Sequence, residues 1–296
     1  MNVLKHWRAL FIIALILLAV AYREEAVRII EVMRSAPLWL FFAALVLVVT
    51  EFALQALRMK LIFKRSWMEI LRVYAIGHFV ALSFPSRTLG EGARVAAFAR
   101  ELNVNLGDAA AYVSVERIAD IAVILAAASL VLVNINPLLA AGIAVLVVVG
   151  FVLLESDGIY AKIMEKNLPR FVTDYIERGR KIVKDRKLFA AIFGITVVLW
   201  AIDFYRMWII LEAMGGRVDY VTVASLVSLA YILGTISFLP GGLGAYEGGL
   251  AGGLVLKGVP YDVAIAATLY ERFFSYWLWI VVGALAGVRS GSSSGA

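Results

Sequence analysis

The sequence predicts an all-α, polytopic membrane protein, and three observations lead to that fold class. Of the 296 residues, 62% are hydrophobic and 17% are charged, whereas an average soluble domain has about 25% charged residues. The apolar residues gather into blocks near the length that a membrane helix needs, roughly 20 residues. Two Pro/Gly-rich interruptions recur half a chain apart. We therefore expect about six spanning helices, two re-entrant hairpins and an inverted internal repeat.

Six apolar blocks are the candidate spans: residues 8–22, 37–58, 107–132, 137–154, 188–214 and 262–288. The first block is short and follows basic residues, as the core of a secretory signal does. No small-residue cleavage site follows Tyr22, so we interpret this block as a retained span. Residues 290–296 are rich in Ser and Gly, and we interpret them as a flexible tail or a cloning remnant.

The positions of Lys and Arg predict the orientation, since cytoplasmic segments carry an excess of both. Residues 155–187 hold nine Lys/Arg and six Asp/Glu, with apolar residues at helical spacing. This pattern predicts an insert of amphipathic helices at the cytoplasmic surface. Residues 58–65 are also basic and belong inside, whereas residues 134–136 carry no charge and suit the outside.

Two apolar stretches that run into prolines must then be re-entrant. Residues 71–105 enter from the cytoplasm, break at Pro85 and return to it. Residues 221–257 enter from the outside, break at Pro240 and return there. With these two hairpins, both termini of this multi-pass protein lie on the cytoplasmic side of the cell membrane.

The two breaks belong to an internal repeat. The residues around Pro85 and Pro240 resemble each other, and a Glu-Arg pair begins 31 residues after each proline, at Glu116 and Glu271. The offset is 155 residues, about half the chain. Repeat 1 covers residues 1–134 and repeat 2 covers residues 137–288, with three crossings each, so the two repeats insert in opposite orientations. Many secondary transporters share this architecture and bind substrate between their repeats; the alternative is a chance match of turns and Glu-Arg pairs.

Charged residues lie within or beside the apolar segments, where an ionised side chain costs roughly 2.5–3.5 kcal/mol. The functional interpretation is a polar cavity in which arginines bind an anionic, phosphate-containing head group, because a guanidinium binds phosphate through two parallel hydrogen bonds. The arginines are Arg87, Arg94, Arg117 and Arg272, and the carboxylates that hold them in the empty cavity are Glu91, Glu116, Glu247 and Glu271. The alternative is a set of purely structural ion pairs.

Other polar and small residues have supporting roles. Asp203 and Arg206 are three residues apart and can pair, and Asp120 shares a helix face with Glu116. The turns of the hairpins are expected at Pro85, Gly90, Pro240, Gly241, Gly242 and Gly244. Glycine allows the strained backbone that such turns require.

Several function classes are excluded or disfavoured. The chain has no cysteine and two distant histidines, so we expect no metal centre and no cofactor. No nucleotide-binding motif is present. The net charge of +6 follows membrane orientation and does not indicate a nucleic-acid partner.

The motifs resemble one known family. Residues 84–94 (Phe-Pro-Ser-Arg-x-x-Gly-Glu-x-x-Arg), residues 239–247 (Leu-Pro-Gly-Gly-Leu-Gly-x-x-Glu) and the two Glu-Arg pairs are similar to the flippase-like family. This family is the transmembrane domain of lysylphosphatidylglycerol synthases and also occurs as stand-alone proteins. The resemblance covers residues 2–288 and implies translocation of a lipid with a polar head group, either a phospholipid or a polyprenyl-phosphate-linked sugar. No soluble domain follows Val288, so we expect no aminoacyl transfer.

Three functions stay open at this point. The first is a flippase that moves a lipid with an anionic head group by alternating access. The second is a membrane-embedded transferase acting on a lipid phosphate, with Glu116 or Glu271 as general base. The third is a non-transporting accessory subunit of a membrane glycosyltransferase. The identity of the lipid, the energy source and the oligomeric state are also open.

Overall fold

The computed structural model describes residues 23–84, 87–138, 141–142, 145, 156–166, 168–237 and 239–283. The predicted span at 8–22, most of the span at 137–154, Pro85 and the tail at 290–296 lie outside the described residues. The described helices are α1 Arg23–Ser35, α2 Leu38–Phe63, α3 Trp67–Ser83, α4 Arg87–Leu102, α5 Leu106–Ile135, α6 Asp157–Met164, α7 Arg170–Lys184, α8 Arg186–Ala213, α9 Tyr220–Ile236, α10 Ala245–Leu256 and α11 Tyr261–Arg272. The described part of the chain contains no strand, and the predicted all-α class is confirmed.

Two of the described helices, α2 and α8, are long and apolar enough to cross a membrane. They cover the predicted spans at 37–58 and 188–214 and pack against each other. One face of α2 is apolar and exposed, with Trp39, Phe42, Val46 and Val49 at helical spacing. An apolar face of this kind is one that lipid covers in a membrane protein.

The helices α3 and α4 form an antiparallel hairpin, in which α3 ends at Ser83 and α4 begins at Arg87. Ser66 caps the start of α3, since its Oγ accepts a hydrogen bond from the backbone N–H of Glu69 at 3.3 Å. The two helices approach closely near the turn, where a Cβ on Gly90 would lie 2.2 Å from the carbonyl oxygen of Ala81. Each helix has fewer than 18 residues, and the depth of this hairpin in the membrane stays a prediction.

The helices α9 and α10 form the second hairpin. Their turn holds three glycines with positive φ, Gly241 (59°), Gly242 (72°) and Gly244 (83°), a region that L-residues avoid. The backbone N–H of Gly244 donates to Glu247 Oε2 at 2.6 Å, so this carboxylate caps the N-terminus of α10. Each pair of helices is therefore interrupted at a Pro/Gly segment, whereas Gly90, which was predicted to lie in the first turn, lies inside α4.

Two further helices lie in the predicted insert at 155–187. Of these, α7 packs its buried residues Ile182 and Val183 into the core of the first half.

The helix α1 was not predicted, and it packs on α11 through residues such as Ile29, Val32 and Met33. After α11, one π-helical turn over Phe273–Trp277 continues the helix; such turns are frequent at functional sites.

Candidate functional site

A cavity of about 180 Å³, lined by charged, aromatic and aliphatic residues, lies between the two hairpins, and both contribute to its wall. Its charged lining residues are Glu51, Arg58, Glu91, Arg117, Asp120, Asp203 and Arg272. Its aromatic lining residues are His78, Trp200, Tyr231, Tyr246, Tyr276 and Trp279. Pockets for drug-sized ligands measure about 300–1,000 Å³, so this cavity is smaller than a typical site for a whole drug-sized molecule.

Glu116, on α5, is the centre of the first charge cluster and is 1% exposed. Its carboxylate accepts hydrogen bonds from Arg58 Nη2 at 2.8 Å and from Arg94 Nη2 at 2.9 Å. The hydroxyl of Tyr74 lies 3.1 Å from the same carboxylate. Guanidiniums from α2 and α4 therefore meet on one buried acid of α5, which joins the first hairpin to the surrounding helices.

Arg58 extends this cluster to α8. Its Nη1 donates to Asp120 at 2.9 Å and to the hydroxyl of Thr196 at 2.8 Å, and its side chain is 2% exposed. The sequence places Arg58 at the start of a basic cytoplasmic stretch, and its role in this cluster was not predicted. The residue ends the predicted span at 37–58, whereas α2 continues five residues beyond it, and the Arg58 side chain is buried within the helix bundle.

Arg117 is the more accessible arginine of this cluster, with 27% of its side chain exposed. It lies 3.5 Å from Glu91, 3.3 Å from Asp120 and 3.3 Å from Glu116. These distances exceed the 2.7–2.9 Å that is usual for strong charge-assisted hydrogen bonds. Its Nη1 also donates to Tyr231 of the second hairpin at 3.2 Å.

Arg206, on α8, is the centre of the second charge cluster and has no exposed surface. It is hydrogen bonded to Glu51 of α2, to Asp203 one turn earlier on α8, and to Glu271 of α11 at 3.0 Å. Sequence reasoning expected the Asp203 contact and missed Glu51. A signal for Glu51 was present, because it is the single ionisable residue in positions 38–57 and so stands in the middle of an apolar span.

Arg272 ties the turn of the second hairpin to α11. Its Nε donates to Glu247 Oε1 at 2.5 Å, and its Nη2 donates to the carbonyl of Gly241 at 2.7 Å. The guanidinium also lies over the rings of Tyr246 and Tyr276, at 4.5 and 5.0 Å from their centroids. The π-helical turn after α11 places Ser275 and Tyr276 in the cavity wall.

The predicted site residues thus fall into two layers. Arg117, Arg272 and Glu91 line the cavity. Arg94, Glu116 and Glu271 are buried behind its wall, at 1% exposure each. Glu247 does not line the cavity, but it accepts a hydrogen bond from Arg272, which does. The backbone of Arg87 begins α4, while its side chain lies outside the described residues. The prediction that Arg94 itself contacts a head group needs revision, since Glu91, Tyr74 and Glu116 surround it.

Comparison with known proteins decides the family. The model of the family described as Lysylphosphatidylglycerol synthase TM region matches residues 7–283. The chain belongs to this family. The family assignment made from the sequence motifs is confirmed, and the protein is a membrane protein.

Relatives in archaea have less specific names. Two matches to UPF0104 membrane proteins of Methanothermobacter thermautotrophicus are 28% identical over 130 residues (44% of this chain, 38% of the relative) and 32% identical over 94 residues (32% and 28%). A UPF0104 membrane protein of Pyrococcus horikoshii is 24% identical over 124 residues (42% and 37%). Each match spans less than two fifths of the relative's length.

Proposed function

We propose that this protein is a lipid flippase that moves a lipid with an anionic, phosphate-containing head group across the cell membrane. One observation carries the proposal: Arg117 and Arg272, which occupy positions 155 residues apart in the predicted repeat, line one cavity between two broken helical hairpins. The lipid is a phospholipid or a polyprenyl-phosphate-linked sugar. Both termini are cytoplasmic in this proposal, and the two repeats rock around the cavity.

The contacts of Arg117 support exchange between carboxylate and phosphate. The guanidinium lies 3.3–3.5 Å from its carboxylate neighbours and is partly exposed. A phosphate can displace Glu91 from it and form two shorter, parallel hydrogen bonds. Because one anion replaces another, the guanidinium keeps a partner during the exchange and no buried charge is left uncompensated.

The aromatic part of the wall suits the uncharged portion of a head group. Trp200 and Tyr231 pack edge to face at 5.0 Å between ring centroids, and Trp279 stacks on Phe52 at 4.6 Å. Such rings offer apolar surface together with a polar edge. A sugar or glycerol moiety can lie against them while the hydrocarbon chains stay in the bilayer.

The hydrogen bonds of the two buried glutamates favour transport over a transferase reaction. A general base needs a carboxylate that can reach and accept a substrate proton. Glu116 already accepts from Arg58 and Arg94, and Glu271 accepts from Arg206, and both glutamates are 1% exposed. We therefore propose that the protein is a transporter and not an enzyme.

Lipid movement in proteoliposomes tests this proposal. The wild-type protein is reconstituted with quenchable lipids that carry phosphatidylglycerol, phosphatidylcholine or polyprenyl-phosphate-sugar head groups. We expect movement of a phosphate-bearing anionic lipid, reduced about tenfold or more in the Arg117→Ala/Arg272→Ala variant. Hydrogen bonds to charged groups contribute about 1.5–3 kcal/mol, and ~1.4 kcal/mol is a factor of ten.

The matched control is Arg100→Ala/Arg217→Ala, which removes two exposed arginines and should leave lipid movement unchanged. Folding of each variant is checked by its melting temperature in detergent. Absence of lipid movement by well-folded wild-type protein would contradict the proposal and favour a non-transporting accessory subunit of a membrane glycosyltransferase.

A further inference from the structure

The charges around the cavity are balanced in one cluster and unbalanced in the other. Around Glu116, three arginines face three carboxylates: Arg58, Arg94 and Arg117 against Glu91, Glu116 and Asp120. Arg272 faces Glu247. Around Arg206, a single guanidinium contacts three carboxylates, those of Glu51, Asp203 and Glu271. With all four groups ionised, this second cluster carries a formal charge of −2.

This excess of negative charge is costly at the position of the cluster. Glu51 lies near the middle of α2, in an otherwise apolar span, where an ionised group costs roughly 2.5–3.5 kcal/mol. Carboxylates that share one site also disfavour each other's ionised form. Other charged and titratable groups lie around the same cavity: Arg58, His78, Glu91, Arg117, Asp120, Tyr231, Tyr246, Arg272 and Tyr276 line it, Glu247 is bonded to Arg272, and Tyr220 interacts with Asp203. The three arginines among them have carboxylate partners of their own.

The cavity gives the cluster a route to water. Glu51 and Asp203 line it, whereas Glu271 does not. Three buried polar atoms of other lining residues, Ser275 Oγ, Arg58 Nε and Arg117 Nε, have no hydrogen-bond partner among the described residues. A space of about 180 Å³ that is lined by several charged groups is large enough for several water molecules, each of which needs ≳10–15 Å³. Water in this space would satisfy these atoms and would supply protons to Glu51.

We propose that Glu51 binds and releases a proton through the cavity, and that this proton accompanies the movement of the head group. The second half of this statement rests on the proposed function, and the first does not. A proton from cavity water adds to the ionised carboxylate of Glu51 and gives the neutral acid. Arg206 then keeps Asp203 and Glu271 as partners, so the cluster loses one excess charge and no cation is left unpaired.

Glu51 is assigned this role, rather than Asp203, because its ion pair with Arg206 joins two different helices. Asp203 and Arg206 are one turn apart on α8, so their contact survives any movement of α8 as a unit. Glu51 reaches Arg206 from α2, and its protonation weakens an ion pair between two spanning helices. A proton at Glu51 therefore weakens one of the polar contacts between α2 and α8, while the hydrogen bond from Arg58 to Thr196 remains.

A proton rather than a metal ion fits this cluster, because Arg206 occupies the space between the carboxylates. Among the described residues, no group of three or more His, Cys, Asp or Glu is arranged to hold a metal ion. Sodium, which carboxylates also bind, is distinguished in the experiment below.

Infrared difference spectroscopy of the purified protein in lipid tests the proton site without any transport. As the pH is lowered, the carbonyl stretch of a protonated carboxylic acid should appear in the wild type. This band should be lost in Glu51→Gln and kept in Glu212→Gln, which changes an exposed glutamate at the end of α8. A band that persists unchanged in Glu51→Gln would overturn the assignment. Loss of the wild-type band at unchanged pH when sodium replaces choline would also overturn it, because sodium bound to the carboxylate keeps the carboxylate ionised.

Two additions keep the result interpretable. If Glu51→Gln does not fold, Glu51→Asp retains a titratable group, and the pH at which the band appears should shift; an unshifted band rejects the proposal. Coupling is then measured in proteoliposomes, where a pH gradient should accelerate lipid movement by the wild type and have no effect on Glu51→Gln. If the pH gradient does not change the rate of lipid movement by the wild type, the proposed coupling is wrong. If no lipid moves at all, the infrared experiment still tests whether Glu51 binds a proton.

Discussion

Arg206 shows how single residues hold this site together. Its guanidinium is fully buried and contacts carboxylates from three helices. A buried charge of this kind is tolerated only with its partners in place. Removal of the cation leaves three carboxylates without compensation, and this cost exceeds that of losing an exposed ion pair, which is about 0–1 kcal/mol.

We expect Arg206→Met to lower the free energy of unfolding by about 3–5 kcal/mol, the range measured when one partner of a buried ion pair is removed. Unfolding in mixed lipid–detergent micelles measures the change. The matched control is Arg217→Met, four residues after the end of α8 and exposed, which should change stability little. Equal stability of the two variants would contradict the central position of Arg206.

At the scale of single residues, the sequence indicates which charged residues are buried in the site, but it predicts only some of the ion pairs between them. The Asp203–Arg206 contact follows from helical spacing. The contacts of Glu51 and Arg58 join residues that are separated by 58 to 155 positions in the sequence. No local sequence pattern indicates which pairs of helices pack against each other. A lone carboxylate in an apolar span indicates that a buried partner exists, but the partner is fixed by packing.

At the scale of the helices, the hairpins depend on close approach at their turns. A Cβ on Gly242 would lie 2.8 Å from the Cα of Gly234 and 2.9 Å from its carbonyl oxygen. Both of these are backbone atoms, which cannot move aside as a flexible side chain can. The turn therefore requires glycine at position 242 for its positive φ and for the contact with α9.

Gly242→Ala should separate α9 from α10 and destabilise the protein by at least about 1–3 kcal/mol, the cost of a strained backbone residue. Gly252→Ala is the matched control, because it lies in the same hairpin, is exposed and meets no atom within 4 Å of an added Cβ. Alanine there should keep or slightly raise the melting temperature. A smaller effect of Gly242→Ala than of Gly252→Ala would show that the hairpin does not need the close turn.

Helix positions are the part of the fold that the sequence predicts best. Apolar blocks and Pro/Gly breaks locate α2, α5, α8 and both hairpins to within a few residues, because a membrane helix needs a long apolar block and a break needs residues that disfavour helix. The helix α1 was missed, since its alternating charged and apolar residues resemble a surface segment, and only its packing on α11 gives it a place.

At the scale of the whole molecule, the two halves use similar contacts around their glutamates. Glu116 accepts from an arginine and lies 3.1 Å from the hydroxyl of Tyr74, and Glu271 accepts from an arginine and lies 3.4 Å from the hydroxyl of Tyr246. Glu51 and Arg206, which contact each other, are themselves 155 residues apart. In the predicted inverted repeat, equivalent residues that touch lie beside the axis relating the halves. A rocking movement of the two halves about that axis would change the contacts within the Arg206 cluster.

The central claim is that the cavity opens to each side of the membrane in turn, and thiol labelling tests it most directly. The chain has no cysteine, so Ser275→Cys introduces one thiol in the cavity wall, and Ala264→Cys introduces one at a fully buried position outside the cavity. Membrane-impermeant thiol reagents are applied to proteoliposomes from either side. We predict that Ser275→Cys reacts from both sides, that a phosphate-bearing lipid slows both reactions, and that Ala264→Cys reacts from neither. Reaction of Ser275→Cys from one side alone, under all lipid conditions, would contradict alternating access and the flippase mechanism built on it.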